Sequence, residues 1–309
     1  MRNSRGSGGL RRFRRMPPGC WRSRTSRTVS SGAHWSQSRI MTTSTRPKPC
    51  RRSRRRARRR CHSEWTVPFR GASFHIGVHN LPPRRAHPLV RSMNQYTGCG
   101  FEPLLRDLLS EVSGYPETLV VLNHPFWDED GVRGDLHRIA LSKLLELYGC
   151  WVHALELNAD RPWRENRDTI ALARANDLPV VCGGDRHGCD PSPVLNVTNA
   201  TDFAEFAQEV RSGRSVIVLL PRLRESRKVR LFETAFDILR DHPDHSRGWV
   251  RWSDRVFYRR DDGTVISLSA LWGRQPGAVT SFVGLMGLLG GQTMRPALRW
   301  ALAERETAL

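Results

Sequence analysis

Beyond Glu64, short apolar runs alternate with amphipathic stretches, and the spacing within each one predicts its form. Residues 118–122 (TLVVL) are an unbroken apolar run of strand length, and residues 136–148 place Leu136, Ile139, Ala140, Leu144 and Leu147 on one helical face. The unit then repeats. Residues 152–157 (VHALEL) predict a strand, 163–176 a helix, 179–182 a strand, 201–211 a helix and 216–220 a strand. Strands that alternate with helices pair in parallel, because each helix carries the chain back to the same end of the sheet. The expected class is therefore α/β, either a barrel or an open sheet. A further amphipathic helix is expected over 227–240, with Val229, Leu231, Phe232, Ala235, Phe236 and Leu239 near helical spacing. The style then changes: VFY and VISL flank the turn residues Asp261, Asp262 and Gly263, which predicts a small hairpin within 249–271, and a helical tail follows from about Pro276.

Composition divides the chain more sharply than periodicity does. Its 309 residues suffice for a substantial core, and its formal charge of +20 would suggest a nucleic-acid or acidic-membrane partner if it were spread over the folded part. It is not spread. Residues 1–63 hold 19 Arg and Lys48 with no Asp or Glu, which leaves 30 basic against 30 acidic residues from Glu64 onward. The basic segment is rich in Arg, Ser, Gly and Pro, has no helical or strand period, and is expected to be disordered. Three readings of it compete: a tail that binds nucleic acid, an Arg-rich targeting peptide, and out-of-frame translation of GC-rich coding DNA. The expected organisation is this segment, an α/β metal-binding domain over 64–225, and a helical and hairpin extension over 226–309.

Seven cysteines contain no C-x-x-C pair and no secretory leader precedes them, so reduced thiols and a cytoplasmic location are expected. The most apolar stretch, residues 279–289, is shorter than the roughly 20 residues a spanning helix needs, and no membrane partner is expected.

Candidate chemistry lies directly after predicted strands, where sites form in parallel α/β folds. Asn123-His124-Pro125 follows TLVVL, with Pro125 ending the strand and leaving His124 at the rim. Gly183-Gly184-Asp185-Arg186-His187-Gly188 follows the strand at 179–182, and Asp185 and His187, two apart, point the same way in an extended segment. A carboxylate and an imidazole so placed form a half-site for zinc, manganese or iron. Glu156 and Asn158 follow VHAL; Glu156 is either a ligand or a buried, paired acid. Upstream, Glu64-Trp65-Thr66 and the run 74–80 (FHIGVHN) add a carboxylate and two imidazoles, His75 and His79.

Taken in order, Glu64, His75 followed by Ile76-Gly77, His124-Pro125, and Asp185-x-His187 resemble the later metal-binding motifs of the PHP (polymerase and histidinol phosphatase) family, over residues 64–221. The resemblance implies a distorted (β/α)7 barrel with divalent metals at its carboxyl rim, hydrolysing a phosphorylated small molecule or a phosphodiester. Carried over by position, Glu64, His75, His124, Asp185 and His187 would be metal ligands, Glu156 and His79 possible additional ones, and Arg161 and Arg186 candidates for phosphate contact. The chain departs from the family at its start, because the His-x-His motif of the first strand occurs nowhere in it. A barrel incomplete at that strand, with little activity of its own, is the expectation; a metal-binding scaffold without catalysis is the alternative.

Overall fold

The computed structural model describes residues 39–41, 61–132, 134–183, 189, 192–245, 247–291 and 293–302. Strand β1 (Arg39–Met41) belongs to a small second sheet. The main sheet begins with a hairpin, β2 (Cys61–Phe69) and β3 (Ala72–Leu81). Only Arg70 and Gly71 join them, both with positive φ (51° and 81°), which is the two-residue turn whose twist matches paired strands.

Two helices, α1 (Pro83–Cys99) and α2 (Glu102–Gly114), lead to β4 (Leu119–Asn123), which pairs antiparallel with β3. Helix α3 (Asp135–Tyr148) then crosses over to β5 (Ala154–Asn158), and α4 (Trp163–Ala175) to β6 (Val180–Gly183); these two pairings are parallel. The sheet order is β2-β3-β4-β5-β6. A second sheet, β1-β7-β8, contains β7 (Val194–Thr198) and β8 (Val216–Leu219), linked through α5 (Phe203–Arg211) and paired antiparallel.

The strands and helices expected from 118 to 240 are present, the last as α6 (Arg227–Leu239). Parallel pairing extends only from β4 to β6. The β2–β3 turn is too short for a crossover, so that pair is antiparallel. Among the described residues the main sheet is open, with β2 and β6 at its edges, and no barrel closes. Past α6 come the expected hairpin, β9 (Phe257–Arg259) and β10 (Val265–Ser267), and the helices α7 (Leu268–Trp272), α8 (Gly277–Leu289) and α9 (Arg295–Leu302).

Strand alternation sorts the main sheet into two faces. Trp65, Val67, Phe74, Ile76, Val78, Val120, Leu122 and Leu155 bury one face in the same core as residues of α1, α2 and α3. On the other face Leu119, Val121, Ala154 and Val181 pack with Phe206, Ala207 and Val210 of α5. That face turns polar toward the carboxyl ends of β4 and β5, where Asn123, Glu156 and Asn158 stand beside His75 of β3.

Candidate metal centre

Glu64, His75 and His124 converge at this polar end. Glu64 on β2 lies opposite Gly77 of β3, His75 lies opposite Asn123 of β4, and His124 is the first residue after β4. One ligand atom from each of the three falls within 4.8 Å of the other two. His75 Nδ1 is 3.1 Å from Glu64 Oε1 and 3.4 Å from His124 Nε2. Donors around a four-coordinate ion, bound at about 2.0–2.2 Å, stand about 3.3–3.6 Å apart, which the His75–His124 separation matches, while Glu64 stands slightly closer to His75 and within 4.8 Å of His124.

The backbone sets this geometry. His124 has a φ of 27°, a strained value for a residue that is not glycine, and its N–H donates to Glu156 Oε2 at 2.9 Å. Glu156 is fully buried on β5, with Asn158 Nδ2 also 3.5 Å from Oε2. Its carboxylate lies over Gly183, where a Cβ would sit 1.4 Å from Oε1. Only glycine fits there. Gly77 is constrained in the same way, because a Cβ would meet His79 Nε2 at 2.6 Å and Asn123 Oδ1 at 2.9 Å.

Both nitrogens of His75 are committed: opposite Nδ1, its Nε2 lies 3.0 Å from Glu129 Oε2. The hydrogen bond with Glu64, aided by the charges of Glu64 and Glu129, holds His75 above its usual pKa of 6.5 against the pull of burial. The same bond holds the Glu64 carboxyl below its usual range. Burial, with the charges of His75 and Arg161, pushes His124 down to about 4, so its imidazole is neutral near pH 7 with a lone pair to offer. Trp127 packs edge-on against both rings, at centroid distances of 5.2 and 4.8 Å.

The other sequence candidates lie around this trio. Glu156 supports the His124 backbone from beneath. His79 points along the polar face toward His62 and Phe203, at 5.6 and 6.2 Å between centroids, and burial lowers its pKa to about 4. Arg161 is buried with its guanidinium 3.9 Å over the Trp127 ring, a cation–π contact that brings positive charge beside the site. Asp185, Arg186 and His187 lie outside the described residues. Glu129 and Trp127 were not singled out from the sequence. Their only signal is the run Trp127-Asp128-Glu129-Asp130 directly after His124-Pro125-Phe126.

No protein-family model matches this chain, and no curated protein or solved structure does.

Proposed function

We propose that the chain carries a divalent-metal centre of the phosphoesterase type, resembling that of the PHP family, with Glu64, His75 and His124 as ligands. The observation that carries the reading is the convergence of these three at ligand spacing, in the residue types and chain order of the family's later motifs. The donor set fits a transition ion: a carboxylate oxygen and two imidazole nitrogens suit zinc, manganese or iron. An ion held there supplies Lewis acidity, which polarises a phosphoryl oxygen and provides hydroxide near neutral pH. His75 is turned toward the centre by Glu129, an arrangement in which the outer carboxylate fixes the ring and raises its basicity. Trp127 packs edge-on against the two imidazoles, and Arg161, stacked on Trp127, would lend positive charge for an anionic phosphate ester.

Among the described residues the main sheet is open and its β2, β3 and β4 pair antiparallel, and the missing His-x-His removes the ligands that the family's first strand would bring. That absence favours a second reading, a metal-binding protein without turnover. Hydrolysis of p-nitrophenyl phosphate by the full chain, with and without added manganese, separates the two. The phosphoesterase reading expects slow, manganese-dependent hydrolysis that His75→Ala abolishes. Metal binding with no turnover above the buffer rate would leave only the scaffold reading.

A further inference from the structure

Helix α6 begins against its own electrostatics. Its first turn, Arg227-Lys228-Val229-Arg230, puts three cations and no acid at the positive end of the helix dipole, and its N-cap Ser226 makes no side-chain cap. The arginines are engaged elsewhere. Arg227 and Arg230, three apart on one helical face, reach the turn that leaves β5. Arg227 Nε donates to the Asp160 carbonyl at 3.0 Å, and Arg230 Nη2 to the Arg161 carbonyl at 2.5 Å. Arg230 is buried, and its Nε also donates to the Glu225 carbonyl at 3.1 Å.

The turn held in this way carries Arg161 to the metal centre. Asn158 Oδ1 accepts the Asp160 N–H at 2.8 Å, and the Arg161 N–H returns to the Asn158 carbonyl at 3.3 Å. The carbonyls of Asp160 and Arg161 are taken up by α6, with Asn166 Nδ2 a longer 3.4 Å from the second. From this turn the Arg161 guanidinium lies 3.9 Å over Trp127, whose ring packs against His75 and His124. Fixing a long arginine side chain costs rotamer entropy, and a rigid backbone beneath it is what keeps the guanidinium in one place. Helix α6 lies beyond the metal-binding domain expected over 64–225, yet it reaches the centre through this one turn.

We propose that Arg230, assisted by Arg227, is a positioning residue for the centre: it fixes the 158–162 turn so that the Arg161 guanidinium stays beside the metal ligands, where it binds the phosphoryl oxygens of an anionic ester. This role rests on the phosphoesterase reading above and gives the C-terminal extension a part in it. Stacking on Trp127 uses the flat face of the guanidinium, while its N–H donors lie in its plane and match two oxygens of one phosphate. The gain depends on the group being aimed before the anion arrives.

The test is the affinity of the full chain, loaded with manganese, for inorganic phosphate by isothermal titration calorimetry, with manganese affinity measured separately in phosphate-free buffer. Arg161→Met should weaken phosphate binding about tenfold or more, the worth of a charge-assisted contact. Arg227→Met and Arg230→Met should each weaken it about three- to tenfold, with Arg230→Lys falling between Arg230→Met and the parent, and manganese affinity should stay unchanged throughout. In the Arg161→Met background the Arg227 and Arg230 changes should have no further effect on phosphate, which a merely structural role would not produce. Arg227 is only partly buried, so its variant carries the comparison if Arg230→Met fails to fold. Parental phosphate affinity in the folded Arg227 and Arg230 variants, losses that simply add to that of Arg161→Met, or a metal-loaded parent that ignores phosphate would overturn the proposal while leaving the metal centre intact. A parent chain that retains no manganese would instead remove the phosphoesterase reading itself, and this role with it.

Discussion

His75 shows how much of the centre depends on groups around the ligands. Its ring is pinned by carboxylates on both nitrogens, so its orientation is fixed before any ion arrives. Glu129→Gln keeps the shape and removes the charge. Metal affinity, measured by competition with a chromophoric chelator, should fall about tenfold, as expected when an outer carboxylate is lost; an unchanged affinity would mean that Glu129 does not support His75. The ligand types were legible in the sequence because each sits in a short motif. Glu129 was not, because its role depends on how the 125–130 loop folds back over β3, and one acid among Asp128, Glu129 and Asp130 looks like any other.

Between elements, the sheet is tied by side chains that act as backbone partners. The amide of Asn196 on β7 accepts from Cys182 N–H at 2.7 Å and donates to Cys182 O at 3.0 Å, closing the edge of β6 and linking the two sheets. Asn166 does the same for Asn158, with both bonds at 2.9 Å. Asn196→Ala leaves two buried backbone groups unpaired and should cost about 2–4 kcal/mol, read from urea unfolding. A loss within about 0.5 kcal/mol would show that water replaces the amide. Strand β7 escaped the sequence reading for this reason: a buried asparagine in the middle of VLNVT breaks the apolar run. The β2–β3 hairpin escaped because Arg70-Gly71 is not among the usual turn pairs.

His153 ties β4 to β5. Its ring Nδ1 accepts the Val120 N–H at 2.9 Å, which requires a neutral ring, and its backbone N–H donates to Val120 O at 2.8 Å. Burial lowers its pKa to about 3. An unfolded chain protonates this histidine below about 6.5, and the folded one does not until about 3. Its contribution to stability is therefore complete above about pH 6.5 and is lost progressively as pH falls toward 3. Thermal melting from pH 8 to pH 4 should show this decline, and His153→Asn, whose Oδ1 can replace Nδ1 as the acceptor for Val120, should make it shallower, with the buried His79 and His124 contributing the rest. Equal slopes in the two proteins would place the acid sensitivity elsewhere.

Across the whole molecule, one sheet separates an apolar core under α1, α2 and α3 from a face whose polar end gathers the candidate ligands. The succession of elements from β4 to α6, β7 excepted, was legible because each shows its apolar run or its helical period. Strand direction was not, because helical crossovers fix only the β4–β5–β6 pairings, and the sequence carries no equally strong mark for an antiparallel start. The claim at the centre is that Glu64, His75 and His124 hold a divalent ion. Equilibrium dialysis of the full chain against zinc or manganese, with elemental analysis of the retained metal, tests it directly. At least one bound ion per chain is expected, with binding lost in His75→Ala and in His124→Ala while circular dichroism shows both still folded. Metal content unchanged in both folded variants, or no retained metal in the parent chain, would contradict it.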